Sequence, residues 1–424
     1  MKIVVIGKGG REDAIVHKIS DSKKVEKLFA VPGNPGTGRY ANNISLSISD
    51  FSVIADFVKS NNIDIVIPGP ELPIAKGIKD YLKKESKVFV FAPPQSSSFL
   101  ESSKIKAKEF MKRNGVPTAD FVSFDDFEKA VQYVKTRTRF PAVIKADGLA
   151  EGKGVAIAHA PAEAVSMLYE YMVERKFGES SKKVLIEDFL SGLEYSVFVV
   201  TDGNEFVWIG DASDYKRAYD GDRGPNTGGM GSVSPVPFLM PDMRRITLET
   251  VIKPTIDGLK KEGIEYTGFL YFGLIWTSQG PKVLEYNVRL GDPEAQAILP
   301  RLRTDLVEII EAAREHKLGN LTVEFDERVS ICVVLASGGY PVSYEKGKLI
   351  RGLNKVIPEV TIYHAGTKEV DGQLYTDGGR VLNVVLLGKD FPSVMERIYR
   401  EIEKIHFENI FFRRDIGSLE RFAL

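Results

Sequence analysis

KVLEYNVRLGDPEAQ, residues 282–296, is the stretch on which the reading of this chain turns. Its apolar positions describe a strand, and Glu285 and Asn287 stand two residues apart on it. Side chains at i and i+2 of a strand share a face, so two oxygen donors can reach one ion. Carboxylate and carboxamide oxygens are hard ligands of the kind Mg²⁺ takes. Arg289 continues the row and sets a permanent cation beside them, a seat for the terminal phosphates of a nucleotide. Taken alone, Glu285 and Asn287 would also suit a surface strand with a wet polar face; the segments around them favour phosphoryl transfer.

KADGLAEGKG, residues 145–154, joins two apolar runs through three glycines. Such a loop can turn its N–H groups onto phosphate oxygens while Lys145 supplies a point charge. It is not a Walker loop, because Gly154 stands where Ser or Thr is required and a strand follows. VLIEDFLSGLEYSV, residues 184–197, reads as strand, connector and strand. Its extended connector can offer backbone groups to a purine edge, with Glu187 before it and Glu194 placed to accept from ribose hydroxyls. Both acids would be equally at home in solvent. DGDRGPNTGGMG, residues 220–231, follows Asp214, Tyr215, Lys216 and Arg217. That much glycine suggests a loop that moves or approaches a ligand closely, although a linker has similar composition. Its position between the nucleotide and metal segments favours a lid over the reacting centre.

The first hundred residues alternate apolar runs (Lys2–Ile6, Lys27–Val31, Ile63–Ile67, Val88–Phe91) with amphipathic stretches (Glu12–Ile19, Ser52–Lys59), which predicts a doubly wound parallel sheet. Three of the runs end in GKGGRE (7–12), PGNPGTG (32–38) and PGPELP (68–73). Parallel strands bring these ends to one edge, so the three loops are expected to share a crevice. The helix opening near Arg11 offers N–H groups to an anion there. A dinucleotide site is disfavoured: Glu12 occupies the third glycine position of G-x-G-x-x-G, and Phe29–Pro32 lacks the acid that would hold a ribose. A phosphosugar fits the loops better.

At 424 residues, 43% hydrophobic and 27% charged, the chain has room for about three domains of ~100 to 200 residues. Its 57 basic and 58 acidic residues leave a formal charge of -1, without the basic stripe that nucleic acid demands. The single cysteine, Cys332, excludes an internal disulfide and points to the reducing cytosol, as a small buried hydrophobe. MKIVVIGKGG begins as a strand rather than a signal peptide, and no run approaches the ~18 apolar residues of a membrane span. Five scattered histidines give no zinc spacing, so any metal is expected to be oxygen-bound.

In order and rough spacing, GKGGRE, PGNPGT, KADGLAEGKGV, GPNTGGMG and EYNVRLGDPE resemble motifs of the ATP-grasp superfamily and, within it, the glycinamide ribonucleotide synthetase family; the likeness extends to RRDIG at 413–417. The resemblance implies an α/β and α+β multidomain chain. Residues 1–100 would form a Rossmann-like phosphosugar-binding domain with a parallel sheet. Residues 101–325 would form the ATP-grasp domain, with a flexible subdomain at about 123–186, and residues 326–424 a small mixed β/α domain.

It further implies ATP between two antiparallel sheets. Lys104, Lys145, Gly148, Gly152, Lys153 and Gly154 would lie toward its phosphates, Glu187, Asp188, Phe189 and Leu190 toward adenine, and Glu194 toward ribose. Glu285 and Asn287 would hold Mg²⁺ or Mn²⁺. Gly9, Gly10, Arg11, Glu12, Gly33, Asn34, Gly36, Thr37, Pro70 and Glu71 would meet the phosphosugar, and Asn226, Thr227, Gly228, Gly229, Gly291 and Asp292 would complete the substrate site. Catalysis would rest on Lys145, Asp214, Lys216 and Arg289.

The implied reaction joins 5-phosphoribosylamine to glycine at the expense of ATP through a glycyl phosphate, a route that needs positioning and charge neutralisation but no protein nucleophile. Partners would be small molecules, with neither nucleic acid nor membrane; monomer and homodimer are equally compatible. Two positions depart from the family pattern. Asp13 stands where G-R-E-H-A has histidine, and Tyr215 where S-Q-D-H-K-R has it, both near the expected sugar or amino-acid end. A ligase for another carboxylate and a nucleotide-binding sensor without turnover are the rival readings.

Overall fold

The alternating pattern of the first hundred residues produces a five-stranded parallel sheet. The computed structural model describes residues 1–149 and 154–422. Strands Lys2–Gly7 (β1), Lys27–Pro32 (β2), Asn42–Asn43 (β3), Ile65–Pro68 (β4) and Phe89–Val90 (β5) lie in the order β3-β2-β1-β4-β5. Ile3, Val4, Val5 and Ile6 are all fully buried, as expected of a parallel strand covered on both faces. Alternate residues of β1 enter two different cores, Val4 and Ile6 one, Ile3 and Val5 the other.

Four antiparallel strands follow: Phe121–Phe124 (β6), Ala142–Ala146 (β7), Val155–Ala158 (β8) and Val184–Asp188 (β9), in the order β6-β9-β7-β8. With the helices Phe127–Thr136 and Pro161–Leu168 they enclose a small core of their own, built on Ile144, Ala158, Leu168 and Ile186. The second of these helices stops at Leu168, and Tyr169–Val173 continue in a wider π-type turn.

The largest sheet contains Leu193–Thr201 (β10) and Phe206–Asp214 (β11). After a projecting hairpin, Arg217–Tyr219 (β12) with Arg223–Asn226 (β13), it takes up Gly231–Ser234 (β14), Gly268–Thr277 (β15), Gly280–Asn287 (β16), Val329–Ser337 (β17) and Thr361–His364 (β18). A second hairpin, Thr367–Val370 (β19) with Gln373–Thr376 (β20), leads to Arg380–Gly388 (β21). The order is β16-β15-β10-β11-β14-β17-β21-β18. Because β14 pairs with β17, hydrogen bonding runs unbroken from the Glu285 strand into the last hundred residues, across the boundary expected at 325. Cys332 lies on β17 with no exposed surface. Among the described residues no helix is long and apolar enough to cross a membrane.

The helix Gly10–Ser20 is wedged against β21 and the helix Glu294–Ile298. A Cβ on Gly10 would press on Asn383 Nδ2 and lie 2.6 Å from Gln296 Nε2, so a side chain there would displace both amides. One turn on, Asp13 turns toward the C-terminal strands. Its Oδ2 accepts from the peptide N–H of His364 at 2.7 Å, while Asn383 Nδ2 donates to the carbonyl of the same peptide, Tyr363 O, at 3.4 Å. Asp13 is 1% exposed, its Oδ1 has no partner among the described residues, and burial pushes its carboxyl up to about 7. The departure from the family's histidine therefore falls at a junction between segments.

Stability contributed by the protonated carboxyl is fully present below its ordinary value of 3.8 and is lost as pH rises through about 7. The Asp13→Asn chain keeps the shape and the acceptor but does not titrate. Its stability relative to the parent should rise between about pH 4 and pH 7 by up to roughly 1.4 kcal/mol per pH unit, read from urea unfolding; a difference independent of pH would refute the assignment.

Candidate active site

β16 carries Glu285 and Asn287 on one face, opposite Gly273 and Tyr271 of β15. A Cβ on Gly273 would come within 3.1 Å of Glu285 Cγ, so the glycine leaves room for the Glu285 side chain across the pair. Burial works against the Glu285 charge, but Lys216, Lys104, Lys145 and Arg289 outweigh it and hold the carboxyl below the usual range. Asn287 is 7% exposed, and its Nδ2 has no hydrogen-bond partner among the described residues. A carboxamide can exchange its O and N positions by rotation, so an oxygen can be presented where this nitrogen stands.

Lys104 opens the helix Lys104–Arg113, whose start is capped by Ser103 Oγ accepting from Lys106 N. Asp147 fastens the glycine-rich loop to that start: its Oδ1 accepts from Ile105 N at 2.8 Å and Ser103 Oγ at 3.0 Å, and Lys104 Nζ donates to Gly148 O at 3.0 Å. Gly154 O accepts from Ala146 N at 2.8 Å. Gly152 and Lys153 lie outside the described residues.

Lys145 meets Glu187 at 3.0 Å, and Lys108 reaches the same Oε2 at 3.2 Å. All three side chains are buried. Burial opposes the Glu187 charge, yet the two ammonium groups hold it below the usual range; burial also depresses Lys108 to about 8. Glu187 was expected beside a purine edge but is spent between two lysines. In the connector, Asp188 is ion-paired with Arg137, Phe189 is 43% exposed and Leu190 is half-buried. The peptide N–H of Asp188 is already taken by Asp120 O.

Lys216 pairs with Glu194 at 3.1 Å and lies 3.8 Å from Asp214. These carboxylates, Asp214 first, push Lys216 well above its ordinary value, whereas burial raises Asp214. Arg289 departs from expectation. β16 ends at Asn287, and the guanidinium turns to Glu101 at 2.9 Å and Glu71 at 3.1 Å. Glu71 is therefore spent on Arg289, while burial lifts Glu101 to about 7 despite the same arginine.

The glycine-rich stretch 220–231 is less open than a lid of that composition suggests. Its first part is the exposed β12–β13 hairpin, with Asn226 at the end. Thr227 N and Oγ1 both donate to Lys216 O, at 2.8 and 2.9 Å. Gly228 N donates to Tyr340 Oη at 3.0 Å, Gly228 O accepts from Arg380 at 2.7 Å, and Gly229 packs on Pro293. Arg380 also donates to Asp292 O at 2.7 Å and meets the Asp292 carboxylate at 3.3 Å. Gly291 sits against Glu294, whose carboxyl is raised to about 7 by burial and accepts from Tyr271 Oη at 3.1 Å.

At the C-terminal edge of the parallel sheet a cavity of about 470 Å³ is lined by Gly7, Lys8, Gly9, Arg11, Glu12, Pro32, Pro70 and Asp292, so all three loops contribute to it as expected. Glu12 Oε2 accepts from Gly9 N and Oε1 from Arg11 Nε, both at 2.6 Å, which caps the helix from its third position. The PGNPGTG loop gives only Pro32 to this crevice. Gly33 and Asn34 face a second cavity of about 580 Å³ beside His364. Asn34 Nδ2 donates to Lys8 O and His364 O, its Oδ1 accepts from Gly36 N and Thr37 N, and Thr37 is fully buried. These last residues shape the loop and leave little for a ligand.

Residues that the sequence reading passed over include Lys108, Glu101, Tyr271 and Arg380. Lys108 was open to discovery, since it stands four residues after Lys104 on the same helix face. Arg380 carried no such signal, for its partners lie 88 and 152 positions away.

Residues 1–101, 102–295 and 330–419 match, in turn, the phosphoribosylglycinamide synthetase N domain, its ATP-grasp (A) domain and its C domain. Phosphoribosylamine–glycine ligase of Caldanaerobacter subterraneus subsp. tengcongensis is 47% identical over 418 residues, covering 99% of this chain and 100% of that protein. The Escherichia coli (strain K12) protein of the same name is 42% identical, covering 99% of each. A crystal structure of phosphoribosylamine–glycine ligase from Thermotoga maritima superposes with a TM-score of 0.86 at 35% identity, over 98% of this chain and 100% of that one. The biotin carboxylase domain of Hydrogenobacter thermophilus 2-oxoglutarate carboxylase, solved with MgADP and bicarbonate, shares the fold at 17% identity and TM-score 0.73, over 97% and 91% of the two chains.

The Lys108–Glu187–Lys145 cluster predicts an asymmetry. Glu187→Gln strands two buried ammonium groups and should cost about 3 to 5 kcal/mol, whereas Lys108→Met leaves a balanced pair and should cost less. Equal losses in chemical denaturation would show that the carboxylate is not the hub.

Proposed function

The chain belongs to the phosphoribosylglycinamide synthetase family, and from that premise we propose that it joins 5-phosphoribosylamine to glycine, converting ATP to ADP and phosphate and supplying glycinamide ribonucleotide for purine synthesis. The observation that carries the site assignment is the Glu285–Asn287 pair, two oxygen-bearing side chains on one strand face within the field of Lys216, Lys104 and Lys145. The orphaned Asn287 amide and the hard donor set fit Mg²⁺ or Mn²⁺. Among the described residues no group of three or more His, Cys, Asp or Glu could hold a metal, so the nucleotide's phosphates and water would complete the shell. When bound there, the cation would neutralise charge on the terminal phosphates.

The residues present perform the rest by placement and charge. In this proposal Lys104 and Lys145 draw the phosphates of ATP toward the helix start and the loop after β7. Lys145 can do so while paired, because two lysines share one carboxylate and a net positive charge remains. The peptide groups of Phe189 and Leu190 read the adenine edge, and Glu194 exchanges its bond to Lys216 for the ribose hydroxyls. The crevice at Gly9–Glu12 and Pro70 receives the phosphosugar, and Asp292 at its rim faces the reacting end.

A carboxylate oxygen of glycine attacks the γ-phosphorus, and the bond to the ADP oxygen breaks. The amine of the ribosylamine then attacks the carbonyl carbon of glycyl phosphate, inorganic phosphate leaves, and the nitrogen gives up a proton. Lys216, already held near Asp214 and Glu194, balances the charge of the transferring group. Activity in the cytosol is part of this proposal, in keeping with the reduced, buried Cys332.

Phosphate release measured with ATP, Mg²⁺, glycine and phosphoribosylamine should require all four; turnover with glycine omitted, or none with any amine and carboxylate pair, would overturn the proposal. Glu285→Ala should lower turnover by at least about 10²-fold in a chain that still folds, since it removes charge compensation and not core packing. Parental turnover in that variant would refute the metal assignment.

A further inference from the structure

Tyr215 stands between Asp214 and Lys216, with no exposed surface, and two guanidinium groups from the last segment of the chain approach its ring. Arg413 is 4.9 Å and Arg421 4.2 Å from the ring centroid. Two cations on one ring would repel each other, but Asp222 meets both, Arg413 at 2.8 Å and Arg421 at 3.2 Å, and Asp415 adds a further contact to Arg413 at 2.6 Å. The Tyr215 hydroxyl accepts from Gly417 N at 3.1 Å. The same arginines grip the backbone on either side: Arg421 donates to Asp214 O at 2.7 Å and Arg413 to Arg217 O at 3.1 Å. Between them, Tyr215 O accepts from Met230 N at 2.8 Å and Lys216 O from Thr227 N at 2.8 Å. Four consecutive carbonyls are therefore fixed, and only the torsions of the Lys216 side chain remain to be set.

We propose that Tyr215, clamped by Arg413 and Arg421, is a positioning residue that holds Lys216 against Asp214 and Glu194, so that the last segment of the chain sets the geometry of the reacting centre. The kinetic part of this proposal rests on the ligase function above; the positional part does not. The ring is the surface on which both arginines rest, and the hydroxyl ties it to residue 417.

The test uses the full chain, three single variants, Tyr215→Phe, Tyr215→Leu and Arg421→Gln, and the double variant that combines the last two. Acetic anhydride labelling mapped by mass spectrometry reads Lys216 directly, and phosphate release gives kcat and the KM for ATP. Tyr215→Phe keeps the stacked ring and should stay within about threefold of the parent in every readout. Tyr215→Leu and Arg421→Gln should raise Lys216 labelling at least about fivefold with Lys145 unchanged, and lower kcat at least about tenfold with the KM for ATP within about threefold. The double variant should be no worse than the poorer single one, because both break one unit. Should Tyr215→Leu fail to fold, Arg421→Gln carries the test. Parental Lys216 labelling in a folded variant would overturn the proposal, as would equal increases at Lys145 and Lys216, which mark general loosening. Altered labelling in a chain that releases no phosphate would leave the clamp standing and remove only the ligase reading.

Discussion

Four lysines, Lys104, Lys108, Lys145 and Lys216, converge where the chain also brings Glu187, Glu194, Asp214 and Glu285. Neither set could be assembled alone, because like charges this close in a partly dry interior repel strongly. Balance between them permits the site to exist before any ligand arrives. It also constrains what can enter: a polyanionic triphosphate upsets the balance unless positive charge comes with it. The oxygen pair at Glu285 and Asn287 stands where such a cation could be held, so the electrostatics of the resting protein and its proposed use of a divalent metal are two aspects of one arrangement.

The end of the chain is as much a part of this arrangement as the strands that precede it. β14 joins β17, and from the segments beyond come Tyr340 and Arg380 onto Gly228, Arg380 onto Asp292, and Arg413 and Arg421 around Tyr215. A glycine-rich stretch that composition alone would make a mobile lid is thus pinned at Thr227, Gly228 and Gly229, while its exposed part is the β12–β13 hairpin. The hairpin is tied as well, Asp222 to Arg413 and Arg421 and Gly221 N to Asp415. The Asp13 junction shows the same economy at the other crevice, where an N-terminal helix is bonded to the backbone of β18.

The two positions that depart from the family's histidines illustrate how context assigns a role. From the sequence both looked like changes in acceptor recognition. Asp13 proves to be buried against the Tyr363–His364 peptide, and Tyr215 against two arginines, so each acts between segments of the chain. Arg289 shifts in a similar way: the strand row that suggested a free phosphate-binding cation ends at Asn287, and two carboxylates, Glu71 and Glu101, claim the guanidinium.

What the sequence determined by itself was whatever local pattern controls. Apolar runs alternating with amphipathic stretches specified the parallel sheet, the strand ends brought three loops to one crevice, and the two-residue spacing of Glu285 and Asn287 put both on one face. Family motifs in order then identified the chemistry. Only the tertiary structure decided which charges remain available, that Glu187 is consumed by two lysines, that Asn34 is spent holding its own loop, and that Arg380 and Arg421 reach the site from the far end. Periodicity and spacing follow from torsions a few residues long, whereas the partner of a buried charge is set by which distant segment the cores bring within about 3 Å of it, and no local pattern encodes that.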